Sequence, residues 1–174
     1  DSPLFIAVMA MSMLGALNLW GIAGTDSLLL KKQIIFITIG LLVMASLSFF
    51  NYRYLKNYSL PVLILYFVSV FLLLLTFYSR SVRGVNSWII LGGLTFEPVE
   101  LAKLMLIILM AKYFSQRHVH INDFRHIVVA GIYFSLPFII IFLQPDLGSS
   151  IIFLAIWLGM LLAAGINKRH LFLI

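Results

Sequence analysis

The sequence has no cysteine and few charged residues. Charged side chains make up 10% of its 174 residues, and only six residues are acidic. A soluble domain carries about 25% charged residues, so this chain has too few to cover a soluble surface. Disorder is excluded as well, because 63% of the residues are hydrophobic. The absence of cysteine also excludes a small domain stabilised by disulfides.

The sequence does contain a series of long apolar runs. Each is close to the ~20 residues that a helix needs to cross a bilayer core of ~30 Å. We therefore predict an all-α membrane protein, a polytopic transmembrane helical bundle that forms a single transmembrane domain over residues 1–174. The six predicted spans are residues 4–23, 33–50, 59–78, 98–114, 127–143 and 145–164.

The last residues of the chain are again apolar. Leu171–Ile174 follows the basic residues Lys168 and Arg169. We expect the start of a seventh span here, and therefore expect the chain to be the N-terminal part of a longer protein.

The distribution of lysine and arginine predicts the orientation. The loops and span ends after spans two, four and six hold seven of these residues, and those after spans one, three and five hold four. Since positive charge is enriched in cytoplasmic loops, the N-terminus is predicted to be cytoplasmic, and residues 80–97 and 144–149 to face outward. Basic flanks beside anionic membrane lipids explain the net charge of +6 without a nucleic-acid partner. The seven are Arg53, Lys56, Lys112, Arg117, Arg125, Lys168 and Arg169; the four are Lys31, Lys32, Arg80 and Arg83.

Ionisable residues inside membrane spans usually mark a functional site. The fourth predicted span has Glu97 at its start and contains Glu100 and Lys103, and the sixth contains Asp146. Both spans begin with a proline followed by an acid, which predicts two helix starts with the acid in the first turn.

Two helix N-termini on the same side of the membrane favour the binding of an anion such as phosphate. Lys103 and Arg83 would add positive charge, and Trp88 lies in a glycine-rich outer loop where it could contact a substrate. A pyrophosphate-linked lipid, with a divalent cation, would fit this combination of charges. The alternative is structural: Glu100 and Lys103 as an ion pair within the bundle, and Glu97 and Asp146 as partners of the helix dipoles.

Three stretches of the chain resemble motifs of the SEDS family (shape, elongation, division and sporulation), the RodA/FtsW-type proteins. They are Val85–Ile89, Phe96–Lys103 and the Gln-Pro-Asp-Leu-Gly sequence of 144–148. Departures from the family pattern at Ser87, Glu97, Val99 and Ser149 leave the subgroup open among elongation, division and sporulation.

The resemblance implies a peptidoglycan glycosyltransferase that polymerises lipid II outside the bacterial cell membrane, paired with a class B penicillin-binding protein. Members of the family have about ten spans, and their presumed catalytic aspartate lies in an outer loop that this chain, ending at Ile174, does not reach. The resemblance therefore assigns the charged residues of this chain to the substrate cavity or to a divalent cation. The candidates are Glu100, Lys103, Asp146, Glu97, Arg83 and Trp88.

Two other functions remain open from the sequence. A polar cavity between helix starts also suits a lipid II flippase or transporter. A membrane scaffold that positions a wall synthase is the second alternative.

Overall fold

The structure is a computed structural model that describes residues 2–23, 28–49, 51, 53–79, 87–91, 94–115 and 124–165. These ranges contain seven α-helices, a 3₁₀ turn at Thr76–Tyr78 and one two-stranded sheet. The helices are α1 (Ser2–Ala23), α2 (Leu28–Ser48), α3 (Arg53–Asn57), α4 (Ser59–Leu75), α5 (Pro98–Ser115), α6 (Phe124–Leu143) and α7 (Leu147–Ala163), and the strands are β1 (Ile89–Leu91) and β2 (Leu94–Phe96).

Six of the helices correspond to the six predicted spans. Four helical segments in the described ranges are long and apolar enough to cross a membrane, namely Pro3–Ile22, Leu28–Ser48, Ser59–Tyr78 and Arg125–Leu143. Helix α7 is also apolar, with 17 residues. Helix α5 has 18 residues, about 27 Å at 1.5 Å per residue, and it carries the charges of Glu100, Lys103 and Lys112. The prediction of an all-α helical membrane fold is confirmed.

The chain forms two compact units. The first, Asp1–Tyr52, contains α1 and α2 packed against each other. The second, Arg53–Ile174, contains the remaining helices and the sheet. Every candidate site residue that the structure describes belongs to the second unit.

The core of the second unit follows from helical periodicity. Residues three or four apart lie on one face of a helix, and the buried side chains of α4 and α7 have this spacing. Helix α5 packs against both α4 and α7, and α6 packs against α7. The Tyr66 hydroxyl donates a hydrogen bond of 2.5 Å to the Tyr133 carbonyl, which joins α4 to α6. The buried residues of α4 and α7 include Val62, Tyr66, Val70, Leu73, Phe153, Trp157 and Leu161.

The structure differs from the sequence prediction at the start of α2. This helix begins at Leu28, five residues before the predicted Gln33, so Lys31 and Lys32 lie inside it. Lysine is a good helix former, and its long aliphatic stem lets the charged end reach the interface.

The hairpin before α5 was not predicted. Strands β1 and β2 pair antiparallel with Ile89 opposite Phe96 and Leu91 opposite Leu94. The sequence signal was the Gly92-Gly93 pair between two apolar triplets, since two-residue connections rich in glycine favour hairpins. The hairpin matters for the site because it links Trp88 directly to the start of α5. The short helix α3 was not predicted either.

Two predictions concern residues outside the described ranges. They are the candidate site residue Arg83 and the expected start of a seventh span at Leu171–Ile174.

Candidate functional site

The start of α5 holds an acid–base pair. Pro98 is the first helical residue, as predicted, and needs no hydrogen-bond acceptor there because proline lacks an N–H. Lys103 Nζ lies 2.7 Å from Glu100 Oε1, and the exposed fraction of the Lys103 side chain is 13% against 64% for Glu100. The ammonium group is therefore mostly enclosed while the carboxylate that pairs with it is open. Glu97, partly buried, precedes the helix, and its carbonyl accepts a hydrogen bond from the Glu100 N–H at 3.3 Å.

Asp146 caps the start of α7. Its Oδ1 accepts a hydrogen bond of 3.0 Å from the Ser149 N–H. The prediction that Asp146 lies in the first turn was wrong, because α7 begins at Leu147 and Asp146 is the N-cap residue. A carboxylate at the N-cap binds the free backbone N–H groups directly, which makes this position more favourable than the first turn.

The end of the outer loop is attached to the same carboxylate. Ser87, whose exposed fraction is 1%, donates a long hydrogen bond of 3.3 Å to Asp146 Oδ2. The Ser79 hydroxyl, directly after the 3₁₀ turn that follows α4, donates to the Trp88 carbonyl at 2.5 Å. Both oxygens of Asp146 are thus occupied by protein donors, and the half-buried Trp88 is held beside the end of α4.

Gln144 is the residue of this site that the sequence prediction missed. Its side chain is buried, and Nε2 donates to Leu73 O at 3.1 Å and to Thr76 Oγ1 at 2.8 Å. The end of α6 is therefore joined to the end of α4. The available signal was that Gln144 opens the motif that contains Asp146, in an otherwise apolar stretch.

These contacts bring four helix ends together at one end of the second unit. Gln144 joins the ends of α6 and α4, and Ser87 joins the start of α7 to the segment that leads through the hairpin to α5. The site therefore consists of two groups of bonded residues, Glu100 with Lys103 and Asp146 with Ser87. Within the described ranges no hydrogen bond or ion pair joins the two groups.

Glu100 is the most exposed of these carboxylates and is the candidate for binding a divalent cation. In the part of the chain that the structure describes, no three His, Cys, Asp or Glu residues are grouped so as to hold a metal ion. Mg²⁺ is often bound by one or two carboxylates with water and substrate phosphates as the other ligands. Glu100 is exposed enough for that role, whereas the oxygens of Asp146 are already hydrogen-bonded.

Comparison with known proteins identifies the family. The family model for FtsW/RodA/SpoVE, described as cell cycle proteins, matches residues 3–174. The chain belongs to this family. A curated FtsW/RodA/SpoVE relative, the peptidoglycan glycosyltransferase RodA of Treponema pallidum, is 30% identical over 181 aligned positions that cover 99% of this chain and 40% of the relative. The chain spans less than half the length of the curated relatives it matches.

Two solved structures have the same fold. The rod shape determining protein RodA of Thermus thermophilus is 31% identical, with a TM-score of 0.82 over 99% of this chain and 56% of that protein. A chain of a peptidoglycan synthase complex is 32% identical, with a TM-score of 0.75 over 88% of this chain and 44% of the other. The resemblance inferred from the three motifs is therefore confirmed.

Proposed function

We propose that this chain is the N-terminal part of a peptidoglycan glycosyltransferase that polymerises lipid II, and that residues 1–174 act there as a single transmembrane domain that holds substrate. The proposal is supported by the peptidoglycan glycosyltransferase RodA of Treponema pallidum, which matches nearly the whole chain. The main structural support for the proposal is the Glu100–Lys103 pair at the start of α5. This pair lies at the end of the unit where Asp146 caps α7. A class B penicillin-binding protein is the proposed partner.

The proposed location is the bacterial cell membrane, with the N-terminus in the cytoplasm. The excess of lysine and arginine after spans two, four and six supports this orientation. The helix starts of α5 and α7 then face outward, where glycan strands are made.

The proposed chemistry is a glycosyl transfer with pyrophosphate as the leaving group. A hydroxyl of the acceptor sugar attacks the anomeric carbon of lipid II, and the bond from that carbon to the pyrophosphate oxygen breaks, leaving its electron pair on the pyrophosphate. Lys103 would stabilise this negative charge, since an ammonium has three N–H donors and Glu100 accepts from one of them. The proton of the attacking hydroxyl passes to a base, and for that role the family resemblance implies the catalytic aspartate, which it assigns to a segment beyond Ile174.

The remaining candidates have supporting roles in the proposal. Asp146 is a positioning residue. One of its oxygens accepts a hydrogen bond from Ser87, before the hairpin, and the other accepts one from the Ser149 N–H at the start of α7. Trp88 would contact a sugar of the substrate, Glu97 would lie at the rim of the cavity, and Arg83, outside the described residues, is a candidate for added positive charge. A divalent cation, if the reaction uses one, would be bound by Glu100 together with the pyrophosphate.

The test is polymerisation of labelled lipid II by the longer protein that contains this chain, purified with its penicillin-binding partner. We expect Lys103→Met to lower the rate about 100-fold, the loss typical when one charge-stabilising group is removed from an active site. Arg125→Gln removes a cation from the exposed surface at the start of α6 and should leave the rate unchanged. Equal rates for the two variants would contradict the proposed role of Lys103.

A second pair of variants tests the role of Asp146. Asp146→Asn keeps an N-cap acceptor but loses the charge, whereas Ser87→Ala removes the tether and leaves the charge. A positioning role predicts that Ser87→Ala lowers polymerisation more than Asp146→Asn does, with both proteins folded.

Translocation of labelled lipid II across liposomes without glycan formation would instead identify a flippase. Partner binding without either activity would identify a scaffold.

A further inference from the structure

A cavity lies at the opposite end of the helical unit from the candidate site. Its volume is about 450 Å³, and it is formed by the start of α4, the last turns of α5 and the first half of α6. Its polar lining consists of Ser59, Lys112, Tyr113 and Tyr133, and the other lining residues are leucines. The cavity therefore combines a cation and hydroxyl groups with an apolar wall.

Lys112 provides an incompletely neutralised positive charge in this cavity. Its Nζ donates to Leu55 O at 2.6 Å and also to Tyr58 O. Both acceptors are carbonyl dipoles, so no carboxylate of the described residues neutralises the charge as Glu100 does for Lys103. An ammonium group has three N–H donors, and these two bonds leave one for a ligand.

The start of α4 adds to the positive potential. Tyr58 precedes the helix without a side-chain cap, and the first turn contains no acid. The first N–H groups of a helix carry partial positive charge. Ser59, at this position, lines the cavity together with Lys112.

The aromatic part of the lining is fixed by contacts behind it. The Tyr113 hydroxyl lies 2.7 Å from Nδ1 of the buried His126, and the Tyr113 and Tyr133 rings contact edge to face with centroids 6.3 Å apart. The Tyr66 hydroxyl holds the backbone of Tyr133. The cavity is thus formed before any ligand binds, which reduces the entropy cost of binding.

The apolar side of the cavity opens towards the surface of the unit. Leu60, which lines it, has an exposed fraction of 69%. In a membrane-spanning protein such a surface faces acyl chains or other helices. A ligand that joins an anionic group to acyl chains matches both sides of the cavity.

We propose that this cavity binds the phosphodiester headgroup of an anionic phospholipid in the cytoplasmic leaflet. The assignment to the cytoplasmic leaflet depends on the membrane orientation given under the proposed function, whereas the lipid class follows from the charge and shape of the cavity. Basic residues near the cytoplasmic surface attract anionic lipids, and Arg53 lies at the same end of the unit as Lys112. The phosphate binds Lys112 and the start of α4, and the acyl chains lie along Leu60.

The test compares lipid binding to the full-length protein in nanodiscs and in detergent. Native mass spectrometry should show phosphatidylglycerol bound at least tenfold more tightly than phosphatidylcholine. Lys112→Met should abolish this preference, and Lys112→Arg should retain it. Arg125→Gln is the matched control, because it removes a cation from the same end without changing the lining, and it should retain the preference.

A further variant keeps the proposal testable if Lys112→Met fails to fold. Leu60→Trp fills the opening without changing any charge, and it should weaken phosphatidylglycerol binding at least fivefold. Equal binding of the two lipids by the unmodified protein would overturn the proposal, and so would unchanged binding in both Lys112→Met and Leu60→Trp. Competition by millimolar inorganic phosphate as effective as that by phosphatidylglycerol would identify a simple anion site and also overturn it. None of these results depends on lipid II polymerisation, so they are independent of the proposed function.

Discussion

At the scale of single residues, Gln144 connects the candidate site to the helical core. The C-terminal carbonyls of a helix lack the usual partners within the helix, and at the end of α4 Leu73 and Thr76 are buried. The Gln144 amide donates to Leu73 O and to Thr76 Oγ1 at that end. The position of Asp146, two residues later, therefore depends on a bond to a different helix.

Replacement of Gln144 by leucine should destabilise the protein by about 1–2 kcal/mol, the net contribution of its two hydrogen bonds, because Thr76 Oγ1 still donates to Leu73 O without the amide. Thr76→Val removes only one of the two acceptors and should cost less. The double variant should lose less unfolding free energy than the sum of the losses in the two single variants, because the two residues share a hydrogen bond. Unfolding in detergent, followed by circular dichroism, measures all three variants, and strictly additive losses would show that the bond contributes nothing.

At the scale of helices and strands, the sequence predicted well what depends on local pattern. The six apolar runs form six helices, because in a membrane a run of ~20 apolar residues has few other ways to form the hydrogen bonds of its backbone N–H and C=O groups. The Glu100–Lys103 pair was predictable because residues three apart on a helix are neighbours. The Ser87–Asp146 bond joins residues 59 positions apart, and no local pattern specifies such a contact. The hairpin was missed because its strands have only three residues each, too few for a periodic signal.

The end of α7 offers a test of backbone conformation with little interference from packing. Gly165 has a φ of +79°, and a Cβ there would meet no atom within 4 Å. Gly165→Ala should therefore cost about 1 kcal/mol, from the left-handed backbone alone. Gly159 is the matched control, since it lies inside α7 and its Cβ would also meet nothing within 4 Å. Gly159→Ala should stabilise the helix by about 0.5–1 kcal/mol, and equal shifts in the thermal unfolding midpoint would contradict the expectation.

At the scale of the whole molecule, charge is unevenly distributed along the helices of the second unit. Glu97, Glu100 and Asp146 lie at one end together with Lys103, and Arg53, Lys112 and Arg125 lie at the other. The hydrogen bonds of Lys112 to Leu55 and Tyr58 confirm that the end of α5 lies beside the start of α4. An excess of lysine and arginine at one end of the helices is what the positive-inside rule predicts for the cytoplasmic end of a multi-span protein.

The absence of cysteine allows the orientation to be measured directly. Tyr78, 92% exposed after α4, and Asn57, exposed before it, lie at opposite ends of one span. In intact cells whose outer barrier has been made permeable, Tyr78→Cys should react with a membrane-impermeant maleimide. Asn57→Cys should react only after the inner membrane is opened. The reverse labelling pattern would invert the orientation and move the candidate site to the cytoplasmic side.

The hydrogen bond between Ser79 and the Trp88 carbonyl has a practical consequence. It holds the two ends of the intervening segment beside each other, so α4 and the hairpin are joined by a contact that does not depend on the segment's own residues. The entropy cost of closing a loop rises only slowly with its length. An epitope tag inserted between residues 80 and 86 should therefore leave α4 and the hairpin in place, and in the proposed orientation it would be accessible to an antibody from outside the cell membrane.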